Sequence, residues 1–497
     1  MLIRNAELYQ GGQNQGALSE LHDLRIRDGV ILQIGTLMPI PGEPVLDAEG
    51  AALLPGLNDH HIHFLSYAAS LNSIDCSPNN VPSANDLANL LLAQSHSTDW
   101  LRGVGYHESV AGAVDRHWLD LFCPHRPLRI QHRTGRLWIF NTAGVERLIQ
   151  SNQNLPAPLQ LCRDSVSSGR FLDSTSAIST LVGRTLPPVH QASKNLARLG
   201  ITGFADMTPS NDASTFDLFG QLAGEDTLLQ RVHLARNQAF APPLPAPGRA
   251  RISAGPVKIH LHETRLPPLE ALVARISASH QFNVPVAIHC VTEIEMLFSL
   301  QALEDAGPLV GDRIEHASMT PDFLLERIKA LGVTVVTQPH FIARKGDTYL
   351  QDIDPSEHNN LYRARSFLDL RIPLAGSSDA PFGDVDPWAA MRAAVSRRTQ
   401  KHALLGADEA LSPEQALALF LGALHTPGEA RTLIEGAPAD LCLLSVPWAV
   451  ARTRLLQDDV RLVLAHGQTI YEAMDKRAST PSSYSAMASI NPQRNAV

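Results

Sequence analysis

The segment PGLNDHHIH at 55–63 places His61 and His63 two residues apart behind an apolar run. Side chains of an extended strand alternate between faces, so Asp59, His61 and His63 share one face while His60 and Ile62 share the other. Two imidazoles so spaced can grip one metal ion, and imidazole suits zinc, iron, nickel or copper. A lone His-x-His is matched equally well by ordinary surface or core histidines, so its company matters. His289 ends the apolar run VPVAIHC, His316 lies at the end of DRIEHAS, and Asp379 ends IPLAGSSD. Taken singly, each could be a satisfied core histidine or a helix-capping aspartate. Together, at the ends of runs that should bury in one wall, they point to a divalent metal centre. Lys258, within Gly255-Pro256-Val257-Lys258-Ile259, adds to it. A lysine in an apolar strand is seldom buried without a role. Its structural alternative is a buried ion pair. Its chemical one is a depressed pKa, leaving a neutral amine able to take up carbon dioxide as a carbamate. Such an anion has two oxygens and could bridge two cations.

Eight apolar runs would carry these residues: 51–64, 201–207, 228–236, 255–263, 284–290, 312–318, 333–340 and 372–379. Helical-looking segments such as 267–281 and 320–332 separate most of them. This alternation predicts a (β/α)8 TIM barrel spanning 55–427, with its chemistry at the C-terminal ends of the strands. Residues 65–200 are far too long for a connection and are expected to form an inserted lobe over the barrel mouth. Short alternating strands with glycine turns occupy both ends, predicting a composite β-sandwich built from 1–54 and 428–475. Residues 476–497, rich in Ser, Ala and Pro, read as a flexible tail.

Composition bounds the function. The chain has 497 residues, 44% apolar and 18% charged, with a formal charge of −9. That is an ordinary globular make-up, and it argues against a nucleic-acid partner. Five cysteines are scattered without a CxxC pair, which excludes a disulfide framework. No secretory pattern opens the chain and no run of about 18 apolar residues interrupts it, so no membrane association and a cytoplasmic location are expected.

With PGLNDHHIH, Lys258, His289, EHA at 315–317 and SSDAP at 377–381, the chain resembles the amidohydrolase superfamily. IRDGVILQIG at 26–35 and PADLCLLS at 438–445 resemble the two halves of that superfamily's sandwich. GVGY and RTG in the insertion, QPH at 338–340 and DAPFGDVDPW at 379–388 are similar to the branch containing N-substituted formamide deformylase. The resemblance implies a metal-dependent hydrolase that cleaves an amide-like C–N bond of a small molecule: an N-acyl or formyl amide, a cyclic amide or a carbamate. It implies one or two ions, zinc foremost, with His61 and His63 on a buried metal and His289 and His316 on a more exposed one. Lys258 would be the carboxylated bridge, and Asp379 both ligand and proton shuttle.

Relatives often carry Gly-His where this chain has Gly135-Arg136. Arg136 could contact a substrate carbonyl or carboxylate, or simply face solvent. His260 and His262 share a face with Lys258 and are expected to line the pocket, although either could replace the lysine as ligand. Tyr106, His107, Trp138 and His340 are further pocket candidates. The alternative activity is a mononuclear aminohydrolase (deaminase) of a nitrogen heterocycle. Those enzymes use a glutamate three residues after a histidine. Here Glu293 is four after His289, and the His260/Glu263 pair sits one strand too early. A barrel that binds a metabolite without catalysis would show a lost ligand, and none is lost. The sequence leaves the substrate, the metal, its number and the oligomeric state open, a homodimer among the options.

Overall fold

The computed structural model describes residues 1–10, 21–94, 99–155, 159–183, 186–238 and 249–474. The tail expected to be flexible, 476–497, lies outside the described residues. Eight parallel strands form one sheet in chain order: Leu57–Ile62, Ile201–Asp206, Arg231–Arg236, Ile252–Ile259, Val286–Cys290, Arg313–His316, Thr334–Thr337 and Leu374–Gly376. Seven fall within the expected apolar runs, and the fourth begins at Ile252, three residues before its run at 255–263. The first strand and the segment leaving the eighth meet through hydrogen bonds. Asp379 N–H donates to His61 O at 2.8 Å and His63 N–H to Ala380 O at 2.9 Å. Asp59 accepts from the Ser378 backbone at 3.0 Å and from its hydroxyl at 2.5 Å. The barrel is thereby nearly closed.

Helices between the strands start where the sequence supplies donors and acceptors for their free ends. Asp212 with Thr215 and Thr292 with Glu295 form reciprocal capping boxes for Ala213–Gly224 and Glu293–Ala306. The apolar faces of these helices bury against the outside of the barrel. Phe204 stacks on Phe64 at 4.7 Å between ring centres, and Phe219 packs on the same ring.

The strands from the two chain ends, expected as a composite sandwich, are hydrogen-bonded into one eight-stranded sheet. Its join is the antiparallel pairing of Leu441–Leu444 with Ala52–Pro55, in which Cys442 faces Leu54. Gly56 alone separates this sheet from the first barrel strand. A Cβ there would lie 2.2 Å from the Thr202 side chain, so the close approach needs glycine. The end sheet thus holds the strand that carries His61.

Residues 65–200 carry a separate five-stranded sheet, ordered Arg170–Leu172, Leu137–Phe140, Leu128–His132, Leu101–Tyr106, Ile74–Asp75. It has its own apolar core around Cys76, Leu87, Leu91, Leu128 and Ile130. The turn joining Leu128–His132 to Leu137–Phe140 reaches the barrel mouth. Gly135, at φ +75°, packs so close to Phe382 that a Cβ would come within 3.2 Å of its ring. Among the described residues, no helix is long and apolar enough to cross a membrane.

Candidate metal centre

The strand exits bring His61, His63, Lys258, His289, His316 and Asp379 into one cluster. Ring centres of His61 and His63 are 5.4 Å apart, His61 and His316 4.7 Å, and His289 and His316 4.5 Å. Asp379 Oδ1 lies 3.6 Å from His61 Nε2 and 3.4 Å from His63 Nε2. Ligating atoms of His61, His316 and Asp379 all fall within 4.8 Å of one another. His316 and Asp379 leave their strands in the left-handed region, at φ +72° and +53°. That conformation is uncommon away from glycine and gathers at functional sites, where it aims a side chain that regular strand geometry would not.

Other side chains hold the rings. His61 Nδ1–H donates to Glu315 Oε2 at 2.5 Å, and Arg313 fixes that carboxylate from Nε at 2.7 Å. His316 Nδ1–H donates to Gln338 Oε1 at 2.9 Å, and Gln338 in turn donates to Ser377 at 2.9 Å. His63 Nδ1 bonds Thr208 Oγ1 at 3.1 Å. With Nδ1 engaged as donor, the Nε2 lone pairs of His61 and His316 are left for an electrophile, the arrangement in which outer groups orient metal-ligating imidazoles. Sequence reasoning did not assign roles to Glu315, Gln338, Arg313 and Thr208. The available signal was Arg313 and Glu315, two opposite charges inside a short buried strand.

Electrostatics agree with a site for cations. Burial, then the neighbouring Lys258 and His316, hold His61 well below the ordinary histidine range. Burial does the same to His289 and also lowers His316. All three rings are neutral and able to coordinate. Burial alone would raise Asp379, but the hydrogen bond with His63 holds it below the usual carboxylate range, so it is ionised. Burial pulls Lys258 down to about 8. Lys258 Nζ and His61 Nε2 are buried and have no hydrogen-bond partner. A buried polar atom left unpaired costs about 1–3 kcal/mol, and a cation coordinated by this donor set removes that cost at both atoms. The residues therefore fit a divalent metal.

The other candidates divide. His260 is exposed at the rim, its ring centre 4.4 Å from that of His289. His340 is buried beneath Gly383 with both ring nitrogens unpaired and is pulled to about 4 by burial. Arg136 and His262 meet, Nη1 to Nε2 at 2.8 Å, where the inserted lobe touches the rim. The fork of Arg136 is taken by Asp173, at 2.6 and 2.5 Å, so it is neither open for a substrate nor simply solvated. Tyr106 and Trp138 are not at the mouth. Tyr106 packs in the lobe core with its hydroxyl donating to Gly112 O at 2.6 Å, and Trp138 is buried with its indole N–H on Thr175. The lobe has a sheet of its own, and these strand residues fill its interior. His107 caps the lobe helix Glu108–Ala111.

A nearly closed parallel barrel with imidazoles, a lysine and a carboxylate at its strand exits is the frame of a metal-dependent hydrolase. The chain belongs to the amidohydrolase family, whose model matches residues 44–471. It is a hydrolase acting on carbon–nitrogen bonds. It is 23% identical to a Bacillus subtilis protein named as an amidohydrolase, YtcJ, over 90% of this chain and 95% of that one. It is also 23% identical to N-substituted formamide deformylase of Arthrobacter pascens, over 84% and 88%. In fold it is similar to an uncharacterised metal-dependent hydrolase of Pyrococcus horikoshii, with TM-score 0.71 and 20% identity over 89% of this chain and 97% of the other.

Proposed function

We propose that the chain hydrolyses an amide-like bond of a small molecule, an N-acyl or N-formyl amide, a cyclic amide or a carbamate. One or two divalent ions, zinc being well matched to imidazole donors, would be held by His61, His63, His289, His316 and Asp379, with Lys258 between them. Bound there, the metal supplies an activated water and polarises the scissile carbonyl. Asp379, ionised and beside His61 and His63, accepts a proton at its carboxylate and delivers it to the leaving nitrogen. Glu315 and Gln338 keep the rings aimed. Lys258, at about 8, has a neutral fraction that can combine with carbon dioxide to give the bridging carbamate. The observation that carries this proposal is the pair of buried, unpartnered atoms, His61 Nε2 and Lys258 Nζ, in one cluster with an ionised carboxylate. The likeness to N-substituted formamide deformylase supports the amide class. Five free cysteines, four of them buried, support a reducing cytoplasmic setting.

Metal analysis of purified protein, with a hydrolysis screen of N-formyl and N-acyl amides, cyclic amides and carbamates, tests it. About one to two equivalents of metal and loss of turnover with a chelator are expected. Full activity in metal-free protein overturns it. For the bridge, Lys258→Ala should lose most activity and about half the metal, and short carboxylic acids should partly restore the rate by taking the carbamate's place. A fully active, fully loaded Lys258→Ala removes the bridge.

A further inference from the structure

Two neighbouring residues of the inserted lobe touch the barrel rim at opposite points. The strands follow one another in chain order and the first meets the eighth, so the fourth and eighth exits face each other across the mouth. Arg136 reaches the fourth-strand exit, its Nη1 2.8 Å from His262 Nε2. Gly135, one residue earlier, lies against Phe382 beyond the eighth strand, where a Cβ would come within 3.2 Å of the ring. The Phe382 ring in turn stands edge-on to His63, with centres 5.6 Å apart. The turn therefore crosses the mouth above the metal centre, with a long arginine on one side and a phenyl ring on the other.

Within the lobe this turn is stiff. Gly135 N–H donates to His132 O at 2.8 Å, Arg133 N–H to Tyr106 O at 2.8 Å, and Gln131 Nε2 to Gly135 O at 3.0 Å. Asp173, also of the lobe, accepts from Nε and Nη2 of Arg136. Against the barrel the hold is lighter. It consists of the hydrogen bond to His262, an ion pair of 3.4 Å from Asp173 to Arg265, and the van der Waals contact on Phe382. The side chains of Arg136 and Asp173 each stay 34% exposed, so water competes for them. A stiff turn on a light, wet catch opens as one piece. We propose that turn 133–136 is a latched crossbar over the metal centre, with Arg136 and His262 as its catch, and that it lifts to admit substrate or exchange metal. Arg136 is thus a positioning residue that acts on the centre through Gly135, Phe382 and His63. This goes beyond the proposed reaction, because it concerns access to the centre and holds for any substrate class.

Zinc-loaded protein mixed with excess pyridine-2,6-dicarboxylate tests the crossbar through the rate of zinc loss. Arg136→Met and His262→Leu should each speed that loss by about tenfold, the opening gained when one charge-assisted hydrogen bond goes. Zinc content before mixing and the thermal midpoint should stay at their wild-type values. His262→Gln keeps an acceptor for Arg136 and should remain within about threefold of the wild-type rate. The double variant Arg136→Met/His262→Leu should be no faster than either single one, because both remove the same catch. Unchanged rates in the single variants overturn the proposal, and so do accelerations that multiply in the double variant. A His262→Gln as fast as His262→Leu overturns it as well. Hydrogen exchange separates this inference from the metal reading. In metal-free protein the Phe382 and Gly383 amides, which donate to Asp379 O at 2.8 and 3.2 Å, should exchange about tenfold faster in Arg136→Met. A chain that takes up no zinc but shows this acceleration loses the metal reading and keeps the crossbar, whereas unaltered exchange removes the crossbar.

Discussion

Two groups of histidines and carboxylates in this molecule have similar composition and opposite chemistry. At the barrel mouth, His61 and His316 donate from Nδ1 to Glu315 and Gln338, which turns their Nε2 lone pairs toward Asp379 and the cluster. In the inserted lobe, His107, Glu108 and His132 also lie within ligating distance of one another. There, however, His107 Nδ1 accepts from Ser109 N–H at 3.2 Å and His132 Nδ1 accepts from Thr134 N–H at 3.2 Å. The ring protons are forced onto Nε2, and His132 donates its own to Glu108 at 3.0 Å. Such a ring offers a cation a proton, not a lone pair. The lobe cluster satisfies itself and pins a turn, whereas the barrel cluster leaves buried atoms unsatisfied. What separates a metal centre from a hydrogen-bonded corner is the partner on the far nitrogen.

That contrast can be broken by substitution. The largest effect is expected for His316→Ala, which removes a nitrogen of the proposed centre. Bound metal should be lost, and kcat/KM should fall by about three orders of magnitude or more. Metal content and activity that both survive would place the centre elsewhere. Asp379→Asn keeps the shape and removes the base, so kcat should drop by about two to four orders with the fold intact. Retention of more than about a tenth of the rate would reduce Asp379 to its role in closing the barrel. Glu315→Gln sharpens the comparison, since only the grip on the far nitrogen of His61 changes. Metal affinity, measured by competition with a chelator of known strength, should weaken about 10–100-fold. The smallest effect is expected for Glu108→Ala and His132→Ala. Metal stoichiometry should stay at the wild-type value and stability should change by no more than about 1 kcal/mol, as for a half-exposed ion pair. A lost equivalent of metal in either would erase the distinction between the two clusters.

Much of this was readable in the chain itself. The barrel strands are apolar runs, each closed by a polar residue, and that local signal survives folding because the wall of a barrel is buried on both faces. His61, His63, Lys258, His289, His316 and Asp379 stood out because each ends or interrupts such a run. The residues that aim them were not assigned, since Glu315 acts on His61 across 254 residues of sequence and nothing local marks the pairing. Tyr106 and Trp138 were misplaced for a related reason. A strand residue in a lobe with its own sheet points into that lobe's core, and the sequence does not say which of two interiors a strand serves.

The seam between the first and eighth strands also sets a timetable for biosynthesis. Asp59 and Ser378 are 319 residues apart, and the backbone bonds joining His61 to Asp379 and His63 to Ala380 span similar distances. A ribosome releases the two leading histidines long before the residues that complete their surroundings. During that interval the growing barrel is an open sheet with an unpaired edge and cannot assemble the metal centre. The metal is thus a late arrival that can lock a finished barrel but cannot template an unfinished one. A chain ending at Asn360 should be cleaved rapidly by protease and retain no stoichiometric metal, whereas tight metal binding by that fragment would reverse the order.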